Sequence, residues 1–157
     1  MDNNNPKSLS EDEKMMKVAI EEARKSSYMG EVPVGAVLVL AGRVIARAGN
    51  NVRTDCNPVG HAEIRVLRRA ARRIGNYRLP DAVLYVTLEP CPMCAGALVH
   101  ARIGRLVYGA VDPKGGGVVS KYCIGGDGLL NHGFSVTGGV LQEKCSRLLR
   151  DFFQKRR

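Results

Sequence analysis

Residues 82–101 read AVLYVTLEPCPMCAGALVHA, and this segment is the most informative about the fold. Its first seven residues are apolar, aromatic or β-branched, which predicts a buried β-strand over 82–88. A helix is predicted to follow over 92–101, after a short junction. Cys91 and Cys94 lie at the junction between the predicted strand and the predicted helix, so a functional site is expected there.

Helical and extended patterns alternate on both sides of this unit. Ser10 and Glu13 match a capping box at the start of a helix. The other predicted elements are strands over 34–40, 44–48, 105–111 and 135–140, and helices over 11–27, 61–74 and 141–157. Residues 1–157 are therefore predicted to form one α/β domain, with a mixed five-stranded sheet covered by helices in three α/β/α layers. Residues 1–9 are polar and are expected to be disordered.

The composition is that of a basic globular protein. Hydrophobic residues make up 45% of the 157 residues and charged residues 25%, which excludes a disordered or fibrous chain. Lys and Arg number 24 against 15 Asp and Glu, a formal charge of +9. This charge favours a nucleic acid as partner, with a merely soluble basic surface as the alternative. No apolar run is long enough to span a bilayer, so no membrane role is expected.

The five cysteines, at positions 56, 91, 94, 123 and 145, indicate a reducing compartment. Their odd number does not suit a closed disulfide framework, and residues 1–14 contain no apolar leader segment. The sequence therefore predicts a cytoplasmic protein. In that setting, closely spaced cysteines favour a metal site over a disulfide.

Cys91 and Cys94 are the first candidates for metal ligands. A spacing of three residues on a helical turn puts both sulfurs on one face, and a helix N-terminus stabilises thiolates. Zinc is the expected ion, because it accepts cysteine sulfur and histidine nitrogen in a tetrahedral arrangement. The alternatives are a thioredoxin-like redox pair and a chance occurrence of the pattern.

A second cluster, His61-Ala62-Glu63, opens the helix predicted over 61–74. His61 supplies a third ligand, and three protein ligands leave one tetrahedral position for water, as in catalytic zinc sites. Glu63 need not bind the metal, so its carboxylate can take a proton from water and deliver it to a ring nitrogen and to departing ammonia. Taken alone, His61 fits a core histidine and Glu63 a helix-dipole residue. The presence of both clusters favours the catalytic interpretation.

The two clusters together resemble the zinc signature of the cytidine deaminase-like hydrolases, in which HxE is followed by PCxxC. A wider resemblance, over about residues 17–157, is to the bacterial tRNA-specific adenosine deaminases. The stretches that carry it are EVPVGAV at 31–37, Asn50, HAEI at 61–64, NYRL at 76–79, LYVTLEPC at 84–91, MCAGA at 93–97, RIGR at 102–105 and DFF at 151–153. It implies a cytidine deaminase-like fold, conversion of the wobble adenosine of a tRNA anticodon stem-loop to inosine, one Zn2+ per subunit and a homodimer.

The resemblance also implies roles for residues beyond the zinc site. The substrate-binding candidates are Asn50, Asp112, Lys114, Phe153 and Arg156. Asn50 resembles the side chain that hydrogen-bonds the flipped adenine, while Asp112 and Lys114 resemble positions that meet the flanking nucleotides. Phe152, Phe153 and the basic tail resemble a C-terminal helix beside the anticodon loop, where aromatic rings stack on bases and cations meet phosphates. The alternative for the two phenylalanines is ordinary core packing.

Two other functions fit parts of the pattern. A deaminase of a free base or nucleoside, such as guanine or cytidine, needs the same zinc motif but not the basic, aromatic C-terminal helix. A non-catalytic, zinc-stabilised RNA-binding module needs neither Glu63 nor an open coordination position. The glycine-rich stretch 112–133 is too long for a simple connection, so it is either functional or mobile. The arginines at 65–73 fit a solvated face by default, and a partner subunit or an RNA backbone as the alternative.

Overall fold

A computed structural model describes residues 9–157 of the chain. Residues 1–8, which belong to the segment predicted to be disordered, lie outside the described residues. The helices are α1 (Glu11–Tyr28), α2 (Ala62–Ile74), α3 (Pro92–His100) and α4 (Gln142–Gln154). The strands are β1 (Gly35–Leu40), β2 (Arg43–Gly49), β3 (Val83–Leu88), β4 (Arg105–Ala110) and β5 (Ser135–Thr137). Ser10 caps α1 by accepting from the Glu13 N–H at 3.2 Å, as its capping pattern predicts.

The five strands form one mixed sheet in the order β2-β1-β3-β4-β5. β1 is antiparallel to both β2 and β3, whereas β3, β4 and β5 run parallel to one another. The mixed five-stranded sheet predicted from the sequence is thereby confirmed. The prediction of a fifth strand over 135–140 is too long, because pairing ends at Thr137 and Gly139 takes a φ of +81°, which an extended strand does not adopt.

Two hydrophobic layers enclose the sheet, because successive strand residues point to opposite faces. Leu84 and Val86 of β3 pack with residues of α2 and α3, such as Leu98. Tyr85 lies between them in sequence and packs on the other face, with residues of α1 such as Met16. The predicted three-layer α/β/α arrangement is confirmed. Within residues 9–157, no helix combines the length and the apolar character needed to cross a bilayer.

The outer edge of the sheet is covered by arginines of α2. Strand β2 has a neighbour only on one side, so its outward carbonyls need other partners. Three arginines spaced four residues apart donate to every second carbonyl of β2: Arg65 to Gly49, Arg69 to Arg47 at 2.7 Å, and Arg73 to Ile45 at 2.9 Å. A purely solvated face is therefore the wrong interpretation for these three arginines, while Arg68 and Arg72 do point to solvent.

The parallel strands place the functional segments together. Because β3 and β4 are parallel, their carboxyl ends lie at the same edge of the sheet, where α/β proteins bind ligands. Cys91 follows β3 and Asp112 follows β4, and a hydrogen bond of 2.8 Å from the Glu89 N–H to the Ala110 carbonyl joins the two strand ends. The N-terminus of α2, with His61, reaches the same edge.

Candidate active site

A cavity of about 330 Å³ opens at the carboxyl edge of β3 and β4. Its walls come from five segments: 31–34, 50–53, 61–63, 88–91 and Asp112. Most of the exposed surface inside it is apolar, while five of its twelve lining residues carry charged side chains: Glu31, Arg53, Glu63, Glu89 and Asp112. An apolar surface with convergent polar groups is the usual form of a small-molecule or base-binding site.

Three side chains at helix N-termini converge beside this cavity. His61 and Cys91 immediately precede α2 and α3, and Cys94 lies in the first turn of α3. The His61 Nδ1 atom is 3.6 Å from the Cys91 Sγ and 3.4 Å from the Cys94 Sγ. A tetrahedral ion with bonds of about 2.0–2.3 Å holds its ligand atoms about 3.3–3.8 Å apart, so the three atoms fit such an ion. The predicted metal-binding group is present as one cluster.

The two thiols of this cluster differ in acidity. A hydrogen bond from Cys94 lowers the pKa of Cys91 to about 4, with a smaller contribution from His61. The same bond and burial raise the pKa of Cys94, and the bond to Cys91 raises the pKa of His61. The protonation of each of these three side chains therefore depends on the other two. Metal ligands must be deprotonated, so binding of an ion would release any protons that these groups hold.

Glu63 lies inside the cavity, directly beside the metal-binding group. It is the second residue of α2, and its side chain is only 4% exposed. Burial raises the pKa of Glu63, with the His61 charge acting in the opposite direction. A carboxyl group whose pKa lies above its ordinary range can both accept and release a proton near neutral pH.

Asn50 follows the last residue of β2 and lines the cavity. Its side-chain Oδ1 accepts from the Ala62 N–H at 2.8 Å. This bond caps α2, for which the N-cap residue His61 provides no side-chain hydrogen bond. The bond also fixes the amide orientation, so the donor that Asn50 offers to a ligand is its Nδ2 group.

Asp112 and Lys114 belong to the loop that follows β4. Asp112 lines the cavity, and its Oδ1 accepts from the backbone N–H groups of Lys114 at 3.2 Å and Gly115 at 3.0 Å. The Lys114 side chain is exposed and is not part of the cavity wall. The structure thus brings only the first of these two predicted residues into the cavity.

Phe153 and Arg156 lie outside the cavity, on α4 and just beyond it. Phe153 is 49% exposed, whereas its neighbour Phe152 is buried, so one phenylalanine does belong to the core. The Arg156 guanidinium lies 4.2 Å from the centre of the Phe152 ring and donates to the Gly30 carbonyl at 2.9 Å. Gly30 precedes Glu31 of the cavity wall, so Arg156 reaches the rim of the site. A groove of about 580 Å³, with basic and aromatic walls, runs between α1 and α4 at this point.

Two buried glutamates in the cavity walls had no role assigned from the sequence. Glu31 accepts from the Thr54 N–H at 2.7 Å and the Thr54 hydroxyl at 3.0 Å, and Glu89 accepts from the loop after β4. Burial raises the pKa of a carboxyl group, but these donors outweigh it, so the pKa of each glutamate lies below its ordinary value. The sequence signal that could have identified both glutamates is a charged residue flanking a run of apolar residues that form a buried strand.

The proteins that this chain resembles in sequence and fold are deaminases. The MafB19-like deaminase family matches residues 10–157. A guanine deaminase from Nitrosomonas europaea shares the fold at a TM-score of 0.80, with 26% identity over 96% of this chain and 88% of its own. The fold and the His/Cys/Cys group, together with these matches, define a deaminase of the cytidine deaminase-like class.

More similar relatives narrow the class to one family. The tRNA-specific adenosine deaminase of Haemophilus influenzae is 53% identical over 93% of this chain and 85% of its own length. That of Bacillus subtilis is 47% identical over 95% and 92%. A solved structure of a tRNA A34 deaminase superimposes at a TM-score of 0.84, with 48% identity over 87% of this chain and 99% of its own. The chain belongs to the family of tRNA-specific adenosine deaminases.

Proposed function

We propose that this chain hydrolyses the wobble adenosine of a tRNA anticodon loop, so that water replaces the C6 amino group and inosine and ammonia are released. The observation that carries this proposal is the buried Glu63 carboxyl in a base-sized cavity beside three metal-ligand atoms. Family membership supports the substrate, since the relatives named above are tRNA-specific adenosine deaminases. A base in a single-stranded loop leaves its stack at little cost and can enter such a cavity.

Zinc is the metal that we propose for this site, with one ion per subunit held by His61, Cys91 and Cys94. The donor set of two sulfurs and one imidazole nitrogen, at tetrahedral spacing, is the set that zinc prefers. When bound, zinc supplies a Lewis acid that makes water nucleophilic near neutral pH. Three protein ligands leave room for that water, which distinguishes a catalytic site from a closed structural one.

In this proposal, Glu63 moves the protons and Asn50 orients the base. The Glu63 carboxylate takes a proton from the attacking water and delivers it to the purine N1. It then takes the second proton, from the C6 hydroxyl of the tetrahedral adduct, and delivers it to the amine, which leaves as ammonia while the C6 carbonyl forms. Burial excludes solvent from this exchange and keeps the pKa of the carboxyl group raised. The Asn50 Nδ2 group donates to an acceptor on the purine ring, because the Oδ1 atom is already bonded to Ala62.

Outside the cavity, we propose that Asp112, Lys114, Phe153 and Arg156 bind the RNA around the flipped base. The net charge of +9 favours a polyanion, and the basic groove between α1 and α4 reaches the rim of the cavity through Arg156. An exposed Phe153 ring offers a stacking surface for an extruded base.

The working protein is proposed to be a homodimer of single-domain subunits in the cytoplasm. Large apolar side chains lie exposed within one short segment: Val119, Tyr122, Leu129 and Leu130, with Leu129 83% exposed. Such a patch is a candidate for burial against a second copy. All five cysteines are free thiols, which suits a reducing compartment. Sedimentation of the purified protein should give twice the chain mass, and cell fractionation should find it with cytoplasmic markers.

An assay with purified, zinc-loaded protein tests the function. The substrates are an anticodon stem-loop with adenosine at the wobble position, the same stem-loop with cytidine there, and free adenosine, guanine and cytidine. Mass spectrometry of the nucleosides should find inosine only from the first stem-loop. Turnover of free guanine or cytidine without stem-loop activity would overturn the tRNA assignment. Glu63→Ala protein that binds the stem-loop and retains zinc, but forms no inosine, would exclude a non-catalytic RNA-binding module.

A further inference from the structure

The loop 112–120, which opens the glycine-rich stretch, is ordered against the end of β3. Its Gly117 N–H donates to the Pro90 carbonyl at 2.7 Å, and its Gly116 N–H donates to the Asp112 carbonyl at 2.9 Å. These bonds attach the loop both to itself and to the residue that precedes Cys91. The loop therefore has a defined conformation, which these hydrogen bonds hold against the end of β3.

The carboxylate of Glu89 is the centre of this arrangement. Glu89 is 2% exposed and follows the last residue of β3. Five donors from the loop converge on its two oxygens: the N–H groups of Asp112 (3.2 Å), Val118 (3.3 Å), Val119 (3.0 Å) and Ser120 (2.9 Å), and the Ser120 hydroxyl (2.5 Å). A carboxylate bonded at both ends of a nine-residue loop holds that loop closed.

The glycines of the loop are explained by the same contact. A Cβ added at Gly116 would lie 2.2 Å from the Glu89 Oε2, and one added at Gly117 would lie 2.6 Å from the Pro92 nitrogen. Both distances are far below any van der Waals contact. Glycine is thus needed here for close approach of the loop to the carboxylate and to the start of α3.

We propose that Glu89 is a positioning residue for RNA binding: its carboxylate holds loop 112–120 in place before the substrate arrives, with Asp112 at the cavity and the Lys114 side chain exposed to solvent. This inference rests on the proposed function, because it assigns the loop to the RNA. Its physical basis is preorganisation, since a loop already ordered in the free protein does not lose conformational entropy when the RNA binds. Glu89 itself does not react; it acts through the loop.

Hydrogen exchange of the zinc-loaded, RNA-free protein tests the anchor directly. Glu89→Gln puts an amide NH2 group against loop N–H donors, so peptide 110–122 should exchange at least about tenfold faster than in the wild type. Ser120→Ala removes one hydroxyl donor and leaves the carboxylate intact, so the same peptide should exchange faster by a smaller factor. Glu31→Gln, at an equally buried glutamate that binds Thr54 and not this loop, is the matched control and should leave the exchange of peptide 110–122 unchanged.

Stem-loop kinetics and zinc content test the consequence for RNA. In Glu89→Gln, the KM for the stem-loop should rise about tenfold while kcat stays within about threefold and one zinc per chain is retained. Unprotected wild-type loop amides, or a Glu89→Gln protein with unchanged exchange and KM, would overturn the proposal. Loss of zinc from Glu89→Gln with normal exchange in the loop would also overturn it, by assigning Glu89 to the metal site. If the wild type failed to deaminate the stem-loop, the proposed function would fail while the exchange experiment still decided whether Glu89 anchors the loop.

Discussion

Glu31 and Glu89 are as deeply buried in the cavity walls as Glu63, yet their surroundings act on the carboxyl proton in the opposite direction. The first two are 2% exposed and Glu63 is 4% exposed. Backbone and hydroxyl donors hold the pKa of Glu31 and Glu89 below its ordinary value against the effect of burial, whereas burial dominates at Glu63 and raises its pKa. Burial alone therefore does not decide what a carboxyl group does here; the donors around it do.

The difference separates the residues that hold loops from the residue that can carry a proton. A carboxylate saturated by N–H donors is a fixed anion, and it ties the donors to one position. Glu31 fixes the segment around Thr54 in this way, and Glu89 fixes loop 112–120. Glu63 lies instead beside the metal-ligand atoms, where a proton can be taken up and released. Two of the three buried carboxyl groups in the cavity walls thus hold loops in place, and the third is placed for proton transfer.

Removal of a metal ligand should reduce deaminase activity more than any change to these glutamates. In Cys91→Ala, we expect inosine formation at background level and less than one zinc per chain, because two remaining ligands hold the ion poorly. Cys145→Ala is the control, since Cys145 is another free cysteine but lies on α4 and is buried in the core. It should retain zinc and activity and lose about 1 kcal/mol of unfolding free energy. Elemental analysis and the stem-loop assay measure both; full zinc content in Cys91→Ala would contradict the ligand assignment.

The second expected effect is on kcat, from Glu63→Gln. The amide keeps the size of the side chain but cannot accept and return a proton, so kcat should fall about 10³-fold while zinc and stem-loop binding persist. Glu31→Gln is the control. Because Glu31 holds a loop and transfers no proton, the kcat of this variant should fall far less. Single-turnover assays with saturating enzyme separate the chemical step from binding. A Glu63→Gln protein with more than a tenth of wild-type kcat would remove Glu63 from the mechanism.

The sequence was most informative where function depends on local spacing. The strand over 82–88, the helix after it and the ligands Cys91 and Cys94 all lie within 20 residues, so periodicity and the cysteine spacing predicted them together. His61 and Glu63 were assigned to the same site because their cluster also begins a helix, and helix N-termini stabilise anions and thiolates. Their convergence from two helices was inferred from ligand chemistry; the element order predicted a mixed sheet but not the parallel pairing of β3 and β4.

Contacts over long sequence distances were not predictable in the same way. The role of Glu89 depends on a loop about 30 residues further along the chain, and the pairing of Arg73 with Ile45 spans 28 residues. Nothing in the local pattern of an arginine-rich helix tells a solvated face from one that covers a sheet edge. The glycine-rich stretch was likewise open between function and mobility, because the close approach that requires Gly116 exists only in the folded chain.

The third prediction concerns the stability of the wall that Glu31 holds. In Glu31→Gln, an amide replaces a buried acceptor of two Thr54 donors, so the free energy of unfolding should fall by about 1–3 kcal/mol at pH 7. Thr54→Ser is the control, since serine keeps both donors and should cost less. Urea unfolding of the zinc-loaded proteins measures the difference. Equal stability of Glu31→Gln and the wild type would show that the N–H donors do not need the charge.

The smallest expected effect comes from a carboxylate held by a cation instead of by N–H groups. Asp12 of α1 accepts from the Arg105 guanidinium at 2.6 and 3.0 Å and from the Tyr85 hydroxyl at 3.0 Å. The bond to Arg105 holds the pKa of Asp12 below its ordinary value of 3.8. A lowered folded-state pKa means that the pair stabilises the fold above about pH 4, and that this stability is lost as the pH falls through the folded-state pKa.

Asp12→Asn should therefore cost about 1 kcal/mol of unfolding free energy at pH 7, because the pair is partly exposed to solvent, and the cost should be smaller at pH 3, below the ordinary Asp pKa of 3.8. Glu21→Gln, an exposed carboxylate on the same helix, should stay within about 0.5 kcal/mol of the wild type at both pH values. Urea titrations at the two pH values give the four differences. The opposing outcome is that Asp12→Asn lowers the free energy of unfolding equally at pH 3 and pH 7. That result would show that Asp12 joins α1 to the sheet through its hydrogen-bond geometry and not through its charge.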